Sequence, residues 1–478
     1  MGFNNDRKFY NIINGEKRSA EKTHRVTDPR TEELLWEVPV ATTQELDEAV
    51  AAATKAFQSW RWTSISERQA VLDKIVQVIE ENAAELADIA RKETGKSLLM
   101  GQIEIGNTTR QIKVIASQAP QDHVQHEDSE VKILATHQPL GVVAAICPWN
   151  FPVILSTIKI ASALITGNCV IIKPSPFTPY AVLKLVELCQ AVVPPGVFQG
   201  LNGGADLGAF MTTHEKIAKV SFTGTAATGK KIMAACAPTL KRLTLELAGN
   251  DAAIVCPDVD LAQAVEQTAT GSFFNAGQMC VATKRVYVHE DIYDAFLCKF
   301  KAEVKEKYRI VDDGDVPSVF GPVSNKLQFD TVERMLADAK ERGLEMESFE
   351  QSVPEKGYWI PATIVSDAPE DALVVKEEQF GPIIPILRWR DEKEVLARVN
   401  LDNAGLGAAV YSRDIAYAEN IARKIEAGSV YINKFEIPNE NAFFSGFKSS
   451  GLGGELGKQG LLSYCYTQSI HISKVSPY

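Results

Sequence analysis

One cysteine stands where a thiol can do chemistry. In Phe274-Asn275-Ala276-Gly277-Gln278-Met279-Cys280, a helix-like run ends in a glycine-containing turn that presents Cys280. The thiolate is the nucleophilic form, and backbone N–H groups left free at a turn or helix end lower a thiol's pKa. A thiol simply packed in the turn is the alternative reading. Glu246 ends the apolar run Leu243-Thr244-Leu245-Glu246-Leu247, 34 residues before the cysteine. Burial raises a carboxyl pKa towards the range of a general base; a carboxylate facing solvent or a lysine is the alternative. Asn150 lies in Pro148-Trp149-Asn150-Phe151-Pro152, after an apolar strand. An amide held between prolines and aromatics suits an oxyanion donor, although asparagine is also an ordinary turn residue.

Three further segments suit a phosphate- and ribose-bearing ligand. Lys173 follows the strand-like Ile171-Ile172 and precedes Pro174-Ser175-Pro176, in the position from which a lysine reaches into the crevice of an open α/β sheet. Phe222-Thr223-Gly224-Thr225-Ala226-Ala227-Thr228-Gly229 reads as strand, glycine turn and helix start. Such a start accepts an anion, although it matches neither G-x-G-x-x-G nor a P-loop. Glu377-Glu378-Gln379-Phe380-Gly381-Pro382 places carboxylates before a Gly-Pro turn, either as a solvated loop or as acceptors for ribose hydroxyls.

The elements that must position these residues are legible in the pattern. Thr42 with Glu45, and Ser64 with Glu67, form capping boxes ahead of helically spaced apolar residues. Asn82 with Glu85 predicts a third capped helix ending near Gly95. From Gly141 onward, short apolar runs alternate with helical patterns. Strands are predicted at 142–146, 169–172, 197–201, 220–222 and 243–247, with a helix starting at Thr178-Pro179. A second series places strands at 252–255, 285–289, 384–387, 408–411 and 429–433, with helices near 261–275, 292–308, 326–342 and 416–427. This alternation predicts a doubly wound parallel α/β architecture in two halves, dividing near Gly249. Residues 121–138 are polar and alternating, as in a projecting hairpin, and 467–473 alternates like an edge strand.

Composition narrows the function classes. Of 478 residues, 45% are hydrophobic and 23% charged, so the chain is globular rather than disordered or fibrous. The 50 Lys+Arg against 61 Asp+Glu leave a net charge of −11, which argues against nucleic acid or an anionic membrane surface as partner. Eight cysteines without a C-x-x-C pair do not make a disulfide framework. Cys169, Cys189 and Cys256 lie in apolar runs, as buried thiols do. His123 and His126 are the only close histidines, so no metal site is expected. The start Met1–Lys8 has no apolar core, and Ser476-Pro477-Tyr478 is no prenyl or peroxisomal signal. Residues 139–158 are uncharged over 20 positions, but Pro148, Asn150 and Pro152 break the run, so a strand and loop are expected rather than a membrane span. A reducing, cytoplasmic setting follows as the expectation.

Taken together, the order and spacing of Asn150, Glu246, Cys280 and Glu378-Gln379-Phe380-Gly381-Pro382 resemble those of the NAD(P)-dependent aldehyde dehydrogenase superfamily, from about Asn14 to Ser473. The resemblance implies a Rossmann-type cofactor domain (1–120 and 140–248), an α/β catalytic domain (249–449) and a small β oligomerisation element (121–139 and 458–478). It implies Cys280 as nucleophile and Glu246 as general base. Asn150 and the backbone N–H of Cys280 become the oxyanion site, and Lys159 with Glu455 a proton-relay pair. Lys173, with Ser175 beside it, is implied at the adenosine ribose. Gly224 and Thr225 are implied at the pyrophosphate, Trp149 in the cofactor cleft, and Glu378 and Phe380 at the nicotinamide ribose and ring. The partners implied are a small aldehyde, NAD or NADP, and further copies of the chain in a homodimer or homotetramer.

Departures from the family pattern carry their own expectations. Pro176 stands where many NAD-preferring members have a Glu that grips the adenosine 2′-hydroxyl, so NADP is admissible. Ala248, Ser445 and Gly454 depart from common residues and leave the local loop geometry open. Ile158 replaces a frequent tunnel Trp and makes room for a bulkier aldehyde. The mouth segment Phe435-Glu436-Ile437-Pro438-Asn439-Glu440-Asn441 holds two acids that suggest a cationic aminoaldehyde. The rival readings are a CoA-acylating semialdehyde dehydrogenase, whose members usually lack the Glu at position 246, and a catalytically silent protein of the same fold, which would have lost Cys280, Glu246 or Asn150.

Overall fold

The computed structural model describes residues 7–310, 318–350, 353–401 and 403–475. Readings of the first six residues and of Ser476–Tyr478 lie outside these. Both predicted capping boxes form. The Thr42 and Ser64 hydroxyls accept the N–H groups of Glu45 and Glu67, whose carboxylates return to the cap N–H groups, starting helices Thr43–Trp60 and Ile65–Glu81. Asn82 does not cap the next helix, Ala83–Thr94, as expected. It ends the preceding one, with its side-chain Nδ2 donating to the Val78 carbonyl at 2.8 Å. A further helix, Leu98–Ser117, follows; its apolar spacing is interrupted by buried Glu104, Thr108 and Gln111.

The predicted strand series assembles into two sheets. The first runs, in spatial order, Glu16–Arg18, Asn11–Ile13, Phe198–Gly200, Cys169–Lys173, Val142–Ile146, Ile217–Thr223, Arg242–Glu246 and Gly451–Leu452. Its five central strands are parallel, and antiparallel strands close both sides. The central strands are buried on both faces, which is why their sequences are continuous apolar runs. The second sheet runs Glu345–Ser348, Thr363–Ser366, Ile383–Trp389, Arg285–His289, Ala252–Val255, Gly407–Tyr411 and Ser429–Ile432, parallel but for its first strand. Separate apolar cores lie on the two faces of this sheet.

The 121–138 segment does form a hairpin, with strands His123–Glu127 and Val131–Pro139. The last strand, Cys465–Ser473, adds to it antiparallel over nine register positions, from Cys465↔Pro139 to Ser473↔Val131. The departures Ser445 and Gly454 pair directly in a two-residue antiparallel ladder. A Cβ on Gly454 would stand 2.4 Å from the Phe444 carbonyl oxygen, so glycine suits this close approach. Among the described residues no helix is long and apolar enough to cross a membrane, and residues 139–158 form a strand, a loop and a helix start.

Candidate active site

The carboxyl ends of the first sheet's central strands meet the turn that carries Cys280. Strand Arg242–Glu246 ends in a carboxylate that is 4% exposed, and Thr223 of the adjacent strand donates to its Oε2 at 3.1 Å. Cys280 Sγ lies 3.8 Å from Glu246 Oε1. Burial raises the Glu246 pKa to about 7, with the charge of nearby Glu455 adding to the shift. Burial first, then Glu246, pushes the Cys280 thiol well above its ordinary value. Two negative charges at this separation oppose each other, so the pair favours one charge and one proton between them.

The turn itself is strained and pinned. Asn275 and Ala276 hold left-handed φ values of 53° and 54°, and Gly277 follows at 72°. Non-glycine residues pay for that conformation, and the surroundings hold it. Gln278 donates to the Asn275 and Pro322 carbonyls and accepts from the Ser324 N–H. Asn150, 4% exposed, donates one amide hydrogen to the Gln278 carbonyl at 3.1 Å, which orients its second N–H.

Above Cys280 opens a cavity of about 250 Å³. Asn150, Glu246 and Glu455 reach it among mostly apolar walls that include Phe151, Ile158 and Phe435. Beneath it Lys159 and Glu455 form a fully buried pair at 2.5 Å, joined by Ser221, whose hydroxyl donates to Glu455 at 2.7 Å. On the other side of the strand ends, Trp149 and Phe380 meet edge-to-face at 5.3 Å. Gly224 ends a strand and Thr225 caps helix Ala226–Cys236. Lys173, 4% exposed, donates to the Pro174 carbonyl, and burial lowers its pKa to about 8. The Ser175 hydroxyl accepts the Phe177 N–H. Glu378 lies 3.4 Å from Lys284 and accepts the Gly249 N–H. A strand-end lysine, a helix start behind a glycine turn and an aromatic pair fit a dinucleotide laid across the carboxyl edge of the sheet.

The chain as a whole has known relatives. The model of the aldehyde dehydrogenase family matches residues 16–470. The chain belongs to the aldehyde dehydrogenase family. It is 40% identical over 469 residues to an aldehyde dehydrogenase of a Fusarium species, covering 98% of this chain and 99% of that one. It is 36% identical to the glutarate-semialdehyde dehydrogenase of Pseudomonas putida, covering 96% and 97%. The NAD+ complex of an aldehyde dehydrogenase from Bacillus cereus superposes with a TM-score of 0.94 at 32% identity, over 98% of this chain and 97% of that chain.

Within this family fold the residues singled out in sequence come together at the strand ends: Cys280, Glu246 and Asn150 around the cavity, Lys159 and Glu455 below it, and the ribose- and phosphate-type residues beyond. One expectation is corrected. The two acids of the mouth segment do not present free negative charge. Glu436 is fully buried and accepts from the Thr283 hydroxyl at 2.8 and 2.9 Å, and Glu440 pairs with Arg110 at 2.7 Å.

Three positioning residues escaped the sequence reading. Lys284, buried, donates to the carbonyls of Met279, Cys280 and Ala282 and so grips the cysteine turn from below. Lys96 donates to the Asn150 carbonyl at 3.1 Å and pairs with Glu104 at 2.5 Å. Glu104 in turn accepts the N–H groups of Val153 and Ile154, supplying the helix Pro152–Ile165 with the cap that Phe151 lacks. Lys284 beside Arg285 looks like a strand start, and Lys96 follows a helix-ending glycine, so neither carries a sequence signal of its role.

Proposed function

We propose that this aldehyde dehydrogenase converts an aldehyde to its carboxylic acid with NAD(P)+ through a cysteine-bound thioester released by water. The observation that supports it most is Cys280 Sγ 3.8 Å from Glu246 Oε1, on the floor of a cavity that Asn150 also lines. Glu246 takes the thiol proton, and the thiolate forms a C–S bond to the carbonyl carbon. The oxygen, now negative, is held by the Asn150 amide and the Cys280 N–H. A bound nicotinamide supplies the acceptor for the hydride that the carbon gives up. Glu246, its first proton passed on to the Lys159–Glu455 pair, then removes a proton from water, whose oxygen displaces the sulfur as thiolate and releases the acid. Lys159 and Glu455 carry that proton away from Glu246. Lys173 and Ser175 hold the adenosine ribose, Gly224 and Thr225 the pyrophosphate, and Trp149, Glu378 and Phe380 the nicotinamide end.

Residues 1–120 and 140–248 form the cofactor domain in this reading, 249–449 the catalytic domain, and 121–139 with 458–478 the oligomerisation element. A homodimer or homotetramer is supported by exposed Tyr466, Ile470 and Ile472 on the edge strand. Either cofactor is admitted at Pro176, whose carbonyl is engaged by His24 at 2.9 Å and which carries no charge to repel a 2′-phosphate.

The test mixes the protein with an aliphatic aldehyde and NAD or NADP, and follows reduced-nicotinamide absorbance with and without CoA. Turnover without CoA, abolished in Cys280→Ser, is expected. Strict dependence on CoA establishes the acylating rival instead, and no turnover with any aldehyde or either cofactor refutes the enzyme reading.

A further inference from the structure

The walls and mouth of the cavity carry charge information that the reaction does not need. Every charged group that reaches the cavity above the catalytic floor is already engaged. Glu104 is held by Lys96 and two backbone N–H groups. At the mouth, Arg110 on the 98–117 helix meets Glu440 on the loop opposite, Nη2 to Oε1 at 2.7 Å. The Glu440 side chain is 8% exposed and that of Arg110 62%, so the carboxylate is the member shut away from water. Gln118 of the following turn also donates to the Glu440 carbonyl and, at 2.9 Å, to Asn441 Oδ1. The helix thus clasps the loop at both Arg110 and Gln118. Between this mouth and Cys280 the walls include Ile103, Phe151, Ile154, Ile158, Phe274 and Phe435, with the uncharged amides of Asn107 and Gln111 as the polar groups of the helix side.

From this arrangement we infer that the substrate is an uncharged apolar aldehyde, alkyl or aryl, and that Arg110 is a specificity-determining residue which neutralises Glu440 and so keeps the mouth from selecting a cation. The inference rests on the reading of this cavity as the aldehyde site. An ammonium or carboxylate on the substrate tail would lose its hydration inside the apolar walls and find no free counter-charge. Apolar tails gain from the same walls.

The experiment compares kcat/KM for three aldehydes of one length, bearing a methyl, an ω-ammonium or an ω-carboxylate end, in the wild type and in Arg110→Met and Glu440→Gln. In the wild type the methyl-ended aldehyde is expected to lead both others by about a hundredfold. In a companion series of methyl-ended aldehydes of increasing length, kcat/KM should rise roughly two- to fourfold per added methylene until the cavity is filled. Arg110→Met frees the Glu440 carboxylate and is expected to raise the ω-ammonium to methyl ratio tenfold or more. Glu440→Gln frees the guanidinium and is expected to raise the ω-carboxylate ratio instead. A wild type that prefers either charged aldehyde overturns the inference, as does an unchanged ratio in both variants. Those results leave the enzyme reading standing, whereas inactivity on all three aldehydes removes both.

Discussion

In the proposed mechanism Glu246 is a base inside the protein, and its surroundings decide at what pH it can be one. Burial lifts its pKa to about 7, with the neighbouring Glu455 charge reinforcing the shift. A base works only when deprotonated, so turnover is expected to climb as pH rises through about 7. Glu246→Gln is expected to remove that limb and, because the same carboxylate takes the thiol proton, to lower the burst of reduced nicotinamide together with steady turnover. A limb that survives in this variant would assign it to another group. Asn150 is a donor rather than a base. Asn150→Ala is expected to cost about 3 kcal/mol of barrier, a loss in kcat of roughly a hundredfold, without unfolding the protein. Unaltered kcat would remove Asn150 from the oxyanion site.

At the scale of elements, the cavity floor depends on how a strand end, a helix start and a strained turn are tied together. The 152–165 helix begins at Pro152 without a side-chain cap of its own, and Glu104 from the 98–117 helix fills that role. Lys96 bridges Glu104 to the Asn150 carbonyl. Removing one member of a buried pair leaves an uncompensated charge. Lys96→Met is therefore expected to lower unfolding free energy by about 3 kcal/mol, measured in urea, and to reduce kcat more than it raises KM. A variant with wild-type kcat would show that the bridge stabilises the fold without positioning Asn150. The same logic separates local from long-range signals. Thr42 and Ser64 were legible as caps because their partners lie three residues on. Asn82 misled because the preceding helix ends on it: its side chain serves the Val78 carbonyl, behind it rather than ahead.

For the molecule as a whole, the last hundred residues return to complete what the first half begins. Gly451–Leu452 pairs antiparallel with Leu245 and Glu246, against the strand end that bears the proposed base, and Glu455 follows directly into the buried pair with Lys159. Further on, the Cys465–Ser473 strand lines the edge of the three-stranded sheet with exposed Tyr466, Ile470 and Ile472. An exposed apolar edge of this kind recruits another strand. Light scattering is expected to report a dimer or larger assembly, and Ile470→Lys with Ile472→Lys to shift it towards monomer. A wild-type protein that is monomeric at micromolar concentration would contradict the oligomer reading.

The sequence by itself determined the alternation of apolar runs and helical patterns, and therefore the parallel sheets. These follow from local periodicity and from burial on both faces. It also offered Cys280, Glu246 and Asn150 as candidates, each ambiguous in its own stretch and made specific only by their order and spacing along the chain. Only the tertiary structure decided who stands beside whom. Lys96 reaches Asn150 across 54 positions and Arg110 reaches Glu440 across 330, contacts that no periodicity encodes. The acids of the mouth segment show the consequence. Their charge was evident from the chain, but whether a substrate meets that charge depends on an arginine and a threonine brought to them by folding.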